Sequence, residues 1–279
     1  SKEEFDKIGH SGTEQFGALS YKPGFAINPL KFVNGITKYA ISKKLTIFEH
    51  SLVNKIHKNN DSYILRTKEG SVNTKKIVVA TNGFYQEGLI PQMNSRILPV
   101  ISNIIVTRKL TNNEIDLHNF KTFSPIANTK NLLYYYRKLP DNRILFGTRG
   151  DFIGSDQSNL NRSKIMERFL KNIFPSWSNI SIDYNWRGLI AMSQKLTPSI
   201  GKIENEEIYY GFGYHGVGVS SAPWTGKQLS KIVFSSNSKD LNISKIYKGL
   251  PKKFIFPKLR IFYFRLAVMF YNIKDKLNI

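Results

Sequence analysis

The sequence predicts a mixed α/β fold in two parts, one of short strands running into glycine turns and helices, the other a mostly antiparallel sheet with helices. Three observations predict it. The β-branched run Ile77-Val78-Val79 ends in the small residues Ala80-Thr81-Asn82-Gly83. The apolar stretch Ile208-Tyr209-Tyr210 leads through Gly211-Phe212-Gly213-Tyr214-His215-Gly216-Val217-Gly218 into a helix-like segment. Between them, residues 99–147 alternate strand and turn signals, followed by helical periodicity. With 279 residues, 41% of them hydrophobic and 13% aromatic, the chain can bury one or two cores, and its length favours two domains.

Taken in order, Leu30 to Ile41 reads as a helix after Asn28-Pro29. Strands follow at Leu45–Phe48, Tyr63–Thr67 and Ile77–Ala80, with Lys68-Glu69-Gly70 as a hairpin turn. Strands are expected at Val100–Thr107, Leu132–Tyr136 and Arg143–Gly147, with Pro140-Asp141-Asn142 turning the last pair. Leu160 to Ile173 reads as a helix that opens after Asn159 and stops before Pro175. Ile182–Ile190 and Ile208–Tyr210 return as strands, and Ala222 to Phe234 as a helix. No internal repeat or low-complexity segment is present.

Gly211, Gly213 and Gly216 satisfy the spacing G-x-G-x-x-G, which lets a backbone approach a pyrophosphate at a helix N-terminus. The full pattern also needs a following strand and an acidic residue about 20 positions on. Ser235 to Asp240 reads instead as a loop, so Asp240 is expected to be a loop residue. What remains is a strand-to-helix turn whose free N–H groups can meet a negatively polarised atom.

The run Lys75 to Gly83, taken with Gly213-Tyr214-His215-Gly216-Val217-Gly218, resembles the D-amino-acid-oxidase-type family of FAD-dependent oxidoreductases, where a strand ending in Ala-Thr-Gly or Ala-Thr-Asn closes the dinucleotide-binding domain. The resemblance extends over Gly17-Ala18-Leu19, Pro23 to Leu30, Leu45 to Val53, Arg143 to Gly150, and Trp186-Arg187-Gly188-Leu189-Ile190. The tail from Phe256 to Tyr271 looks like the C-terminal helix of the gamma-glutamylputrescine-oxidase-like branch. One part of the family pattern is missing: Ser1 to Gln15 is polar, and Gly9, Gly12 and Gly17 follow no apolar strand. The expectation is a C-terminal fragment, a split-gene product or a degenerate chain without the first nucleotide-binding unit, completed in the split case by a companion chain that carries it.

The resemblance implies a discontinuous FAD-binding domain at 25–90 and 191–250, a substrate domain at 1–24 and 91–190, and a basic aromatic C-terminal helix at 251–279. It implies non-covalent FAD beside Val53, Ala80, Thr81, Asn82, Gly83, Gly213, Tyr214, His215, Gly216, Val217 and Gly218. The implied chemistry is oxidation of a small-molecule amine to an imine. His215 is the candidate catalytic base, weighed against a turn histidine bonded to backbone, and Tyr134, Tyr136 and Arg187 are the candidate substrate-binding residues. Amino-acid oxidases of the family often grip the substrate carboxylate with an Arg where this chain has Ile190, which tilts the expectation toward amines. Lys195 stands where relatives carry an acidic residue, and Gly218 where some carry Lys.

The absence of cysteine excludes disulfides, cysteine-ligated metal and cysteinyl flavin attachment. His10, His50, His57 and His118 fall in polar or strand contexts without partners at metal spacing, so no metal site is expected. No 18-residue apolar run and no export signal is found, which makes the cytoplasm the default. The net charge of +21 is spread along a chain rich in Lys, Asn and Ile, which reads as compositional drift in preference to a nucleic-acid surface. Its strongest concentration, Lys248 to Arg265 interleaved with phenylalanines, is expected to form an amphipathic helix from Leu259 to Leu277 that lies on the protein or on an anionic membrane. Two other functions stay open: a noncatalytic basic remnant that binds nucleic acid or membrane, and an FAD-dependent enzyme acting on a tRNA base, as some family members do.

Overall fold

The computed structural model describes residues 1–13, 15–234 and 243–277. The chain forms two compact units, one of residues 1–27, 101–188 and 262–279, the other of residues 28–100 and 189–261.

The first unit opens with helix α1 (Lys2–Ile8), which polar composition concealed although Ser1 and Glu4 form a reciprocal capping box. Its sheet runs β6-β7-β8-β5-β9, from strands β5 (Leu98–Thr107), β6 (Ile126–Ala127), β7 (Tyr134–Lys138), β8 (Ile144–Arg149) and β9 (Ile182–Met192). The β7–β8 hairpin closes where expected, with Leu139 N–H donating to the Arg143 carbonyl and Asn142 in the left-handed region at φ 63°. A short helix, α3 (Asn112–Asp116), is capped reciprocally by Thr111 and Glu114, and Arg108 holds the Glu114 carboxyl down at about 2. Helix α4 (Asp156–Ile173) begins a turn before the expected start because Ser155 caps it, accepting from Ser158 N–H. Its buried residues Ser163, Met166, Leu170 and Ile173 recur at helical spacing, and the last three pack in one core with Ile105, Ile144 and Phe146. Helix α6 (Arg260–Leu277) forms as expected but buries only Val268 among its described residues.

His10 sits at the centre of this core rather than in a polar context. Its ring lies 5.1 Å from Phe120, 5.0 Å from Phe174 and 5.5 Å from Tyr136. Gly12 N–H donates to Nδ1 at 3.0 Å, so the proton resides on Nε2, which meets Tyr136 Oη at 2.7 Å. His118 packs edge-on to Phe174 and Trp177 in the same cluster. Sequence reading missed this because neither histidine stands in an apolar run.

In the second unit, β1 (Lys55–Asn59), β2 (Ser62–Arg66) and β3 (Ser71–Thr74) make an antiparallel meander, with the predicted turn closed by Thr67 N–H to the Gly70 carbonyl. The polar composition of β1 hid it. The expected strand at Leu45–Phe48 is irregular: all four residues are exposed and, among the described residues, no strand pairs with them, and a strand needs a ladder partner. Helix α2 (Pro29–Ser42) starts at the Asn28 cap as expected. A second sheet runs β10-β11-β4, from β4 (Ile77–Val79), β10 (Ser199–Lys202) and β11 (Ile208–Phe212). Every residue of β11 is buried, as a central strand covered on both faces requires. Helix α5 (Gly218–Phe234) lies against it over Gly211, where an added Cβ would come within 2.4 Å of Thr225 and 2.9 Å of Leu229. It begins four residues before the expected Ala222, running through Pro223. The lost bond falls on the carbonyl of exposed Val219, where water can satisfy it.

Candidate functional site

The second unit gathers the two glycine-bearing segments through the parallel pairing of β11 with β4. Ile208, Tyr209 and Tyr210 of β11 lie opposite Ile77, Val78 and Val79 of β4, so both strands end at the same edge of the sheet. In open α/β sheets ligands bind outside the carboxyl ends of parallel strands. Ala80-Thr81 and the turn Asn82–Phe84 leave β4 there, and Gly213 to Val217 leave β11. Gly213 N–H donates to Asn82 Oδ1 at 3.0 Å, tying the segments together.

Each glycine has its own physical reason. Gly213 and Gly216 sit in the left-handed region at φ 81° and 94°. Gly83 is buried, and a Cβ there would meet the Leu189 side chain at 3.1 Å. Gly211 serves the close packing of α5 on β11. The literal G-x-G-x-x-G match therefore divides into one packing glycine inside a strand and two turn glycines beyond it, which is not how a pyrophosphate loop distributes them. Asp240 lies outside the described residues.

Helix α5 starts with Gly216, Val217 and Val219 exposed and no acidic residue in its first turn. Val217, in the capping position, has no side-chain acceptor, so the N–H groups of Gly218, Val219 and Ser220 carry the helix's partial positive charge uncapped. Tyr214 points inward, 8% exposed, its ring beneath Gly218. His215 is left-handed at φ 49°, with its N–H on the Ala191 carbonyl and Nε2 3.2 Å from Ser193 Oγ. Its Nδ1 is buried without a partner, and burial pushes its pKa below the ordinary histidine value. A neutral imidazole with an unfilled polar atom, two left-handed glycines and an uncapped helix start make a cradle for a polar, electron-rich group. They fit the ring end of the expected flavin better than its pyrophosphate.

The remaining candidates are elsewhere. Val53 is half-buried in the irregular segment just before β1. Tyr134 and Tyr136 share one face of β7 as alternation predicts, their rings 6.2 Å apart. Tyr136 lies in the core against His10, whereas Tyr134 lines a cavity of the first unit. Arg187 donates to the Ser155 carbonyl at 2.9 Å and to Asp156 Oδ1 at 3.0 Å, bracing the start of α4. Lys195, with its pKa lowered by burial, donates to the Lys248 carbonyl at 2.7 Å. Ser193 was missed by sequence reading, since only the folded turn brings it to His215.

The family pattern described as DAO, FAD dependent oxidoreductase, matches residues 2–232. The chain is 28% identical over 267 residues to "Probable oxidoreductase OrdL" of Haemophilus influenzae, covering 92% of this chain and 60% of that protein. It is 26% identical over 266 residues to the gamma-glutamylputrescine oxidoreductase of Escherichia coli, covering 94% and 60%. The glycine oxidase structure from Geobacillus kaustophilus matches with a TM-score of 0.63 at 16% identity, over 80% of this chain and 57% of that one. The chain thus spans about three fifths of the length of the curated relatives it matches, 60% for each of these two.

Proposed function

The chain belongs to the FAD dependent oxidoreductase family, and on that premise we propose that it contributes the ring end of an FAD site to the oxidation of a C–N bond in a small amine. The observation that carries this reading is the meeting of Asn82 and Gly213 at the shared end of β4 and β11, beside an exposed and uncapped helix start. FAD, when bound, accepts the hydride from the carbon beside nitrogen and leaves an imine for water to hydrolyse.

The chain's own residues then have distinct tasks. The N–H groups of Gly218, Val219 and Ser220, at the positive end of α5, would stabilise negative charge on the flavin ring, an interaction worth up to about 2 kcal/mol when partly buried. Asn82 fixes the Gly213 turn, and Ala80 to Gly83 wall the other side. His215, kept neutral by burial, would take the amine proton at Nδ1, the ring nitrogen left without a partner, while Ser193 holds the ring through Nε2. Ile190 lies beside the Gly216 turn, where an added Cβ would be 3.9 Å from its Cδ1, so an apolar group stands there instead of a cation for a carboxylate. We assign residues 28–100 and 189–261 to the FAD side, with Val53 toward the adenosine, and the first unit with Tyr134 to the substrate side.

The test is to supply, by fusion or as a separate chain, the part of a relative that this chain does not match. The completed protein is expected to purify with bound flavin, and to oxidise a primary amine faster than the α-amino acid of the same length. A completed and folded protein that takes up no flavin would overturn the reading. A preference for the amino acid would overturn the amine assignment alone.

A further inference from the structure

Among the described residues, the first unit brings together two guanidinium groups, those of Arg149 and Arg162, that no carboxylate pairs with. A cavity of about 340 Å³ is bounded by β7, β8, α4 and α6, a volume within the range of small-ligand sites. Arg149 and Arg162 line it, joined by Arg162 Nε donating to the Arg149 carbonyl at 2.9 Å. Arg149 Nη1 donates to the Gly150 carbonyl at 2.7 Å, and its Nε is buried without a partner. Among the described residues neither guanidinium makes an ion pair with a carboxylate. Burial lowers the pKa of both, and that of Arg162 falls to about 10 under burial and the repulsion of Arg149.

Of the acidic groups nearby, Asp275 is fully engaged and Asp151 only through one oxygen. Asp275 lines the cavity, but its Oδ1 accepts from Asn131 N–H and Asn131 Nδ2, and its Oδ2 from Leu132 N–H, each at 2.8 Å. Asp151 spends Oδ1 on the N–H groups of Ile153 and Gly154, its Oδ2 is buried without a partner, and its charge offsets only part of that on the two arginines, whose pKa values stay lowered by burial. A third guanidinium adds to the excess: Arg149 and Arg265 both lie over the Phe152 ring, 4.9 Å and 5.5 Å from its centroid. Two partly buried cations side by side with too little negative charge to match them are unfavourable. Guanidinium forks match the paired oxygens of carboxylate and phosphate groups. Leu132, Tyr134 and Phe169 give the wall an apolar part, beside the polar side chains of Lys130, Thr148, Asn172, Asn272 and Lys276.

We propose that this cavity binds a small organic anion, whose carboxylate or phosphate group is received by Arg149 and Arg162 and whose carbon part rests against Leu132, Tyr134 and Phe169. The site lies wholly within the first unit, so the proposal does not depend on the flavin reading, and binding is read without turnover.

Thermal unfolding of the full chain is measured in sodium phosphate, sodium phenyl phosphate and sodium benzoate, each against sodium chloride at equal ionic strength. A saturable rise in melting temperature is expected, larger for the two aromatic anions than for inorganic phosphate. The ranking of phenyl phosphate against benzoate tells which oxyanion is preferred. Arg162→Gln is expected to weaken binding at least tenfold, and Lys258→Gln, an exposed change in the second unit, to leave it intact. Arg149→Lys keeps the charge but not the fork, and guards against misfolding of the glutamine variant by weakening binding in a folded chain. The proposal is overturned if no anion outperforms chloride, or if folded Arg162→Gln and Arg149→Lys respond as the parent does.

Discussion

Replacing His215 with asparagine is expected to lower the rate of amine oxidation by the completed protein about a hundredfold or more, the usual contribution of a positioned general base. Asparagine is chosen because the residue stands at φ 49°, a left-handed conformation that asparagine adopts with little strain. The backbone N–H can therefore stay on the Ala191 carbonyl, and the turn from Gly213 to Gly218 keeps its course. Only the imidazole is lost. Since burial lowers the pKa of His215, the group is neutral at and above pH 6.5, and the acid limb of the parent's rate profile should lie below that value. The variant should lose that limb as well as the rate. A His215→Asn protein that binds flavin and oxidises amine at the parent rate would make His215 a turn residue and nothing more.

Acidification should unfold the first unit through His10. The imidazole is 0% exposed, ringed by Phe5, Phe120, Tyr136 and Phe174, and burial, with a smaller repulsion from His118, moves its pKa from 6.5 to about 4. The folded value lies below the unfolded one, so as pH falls the unfolded chain takes up the proton first. The stability contribution is intact above pH 6.5 and is lost progressively toward pH 4. The difference corresponds to about 3 kcal/mol, a large share of an ordinary domain's stability. His118, also lowered by burial, acts in the same direction. Chemical denaturation at pH 7, 5.5 and 4 measures the fall, and His10→Gln, which keeps a donor toward Tyr136 without the titration, should flatten it. Equal stability at pH 7 and pH 4 in the parent would refute the buried neutral state.

What the sequence made legible follows from how local each signal is. The β4 run, the turn at Lys68-Glu69-Gly70, the β7–β8 hairpin and α2 are specified by neighbouring residues, and the structure has them. Helix starts were displaced for different reasons: the Ser155 cap begins α4 before the apolar face is visible, and α5 starts without a side-chain cap at Gly218 and runs on through Pro223. Leu45–Phe48 has strand composition and no partner, whereas polar β1 is a strand because β2 pairs with it. The pairing of Asn82 with Gly213 depends on parallel neighbours 131 residues apart, which only the resemblance anticipated. The burial of His10 and the convergence of Arg149 and Arg162 left no trace in spacing, since tertiary packing alone creates them.

The central claim is that the N–H groups opening α5 face the flavin ring. Val217→Asp tests it most directly, because aspartate in the capping position accepts from those N–H groups and places a negative charge among them. The cap itself should stabilise the helix by about 1 kcal/mol, so a loss of flavin could not be ascribed to unfolding. Flavin affinity of the completed protein, measured by fluorescence titration, is expected to fall at least tenfold in the variant while its melting temperature holds or rises. Unchanged affinity in a folded variant that carries this carboxylate would contradict the claim.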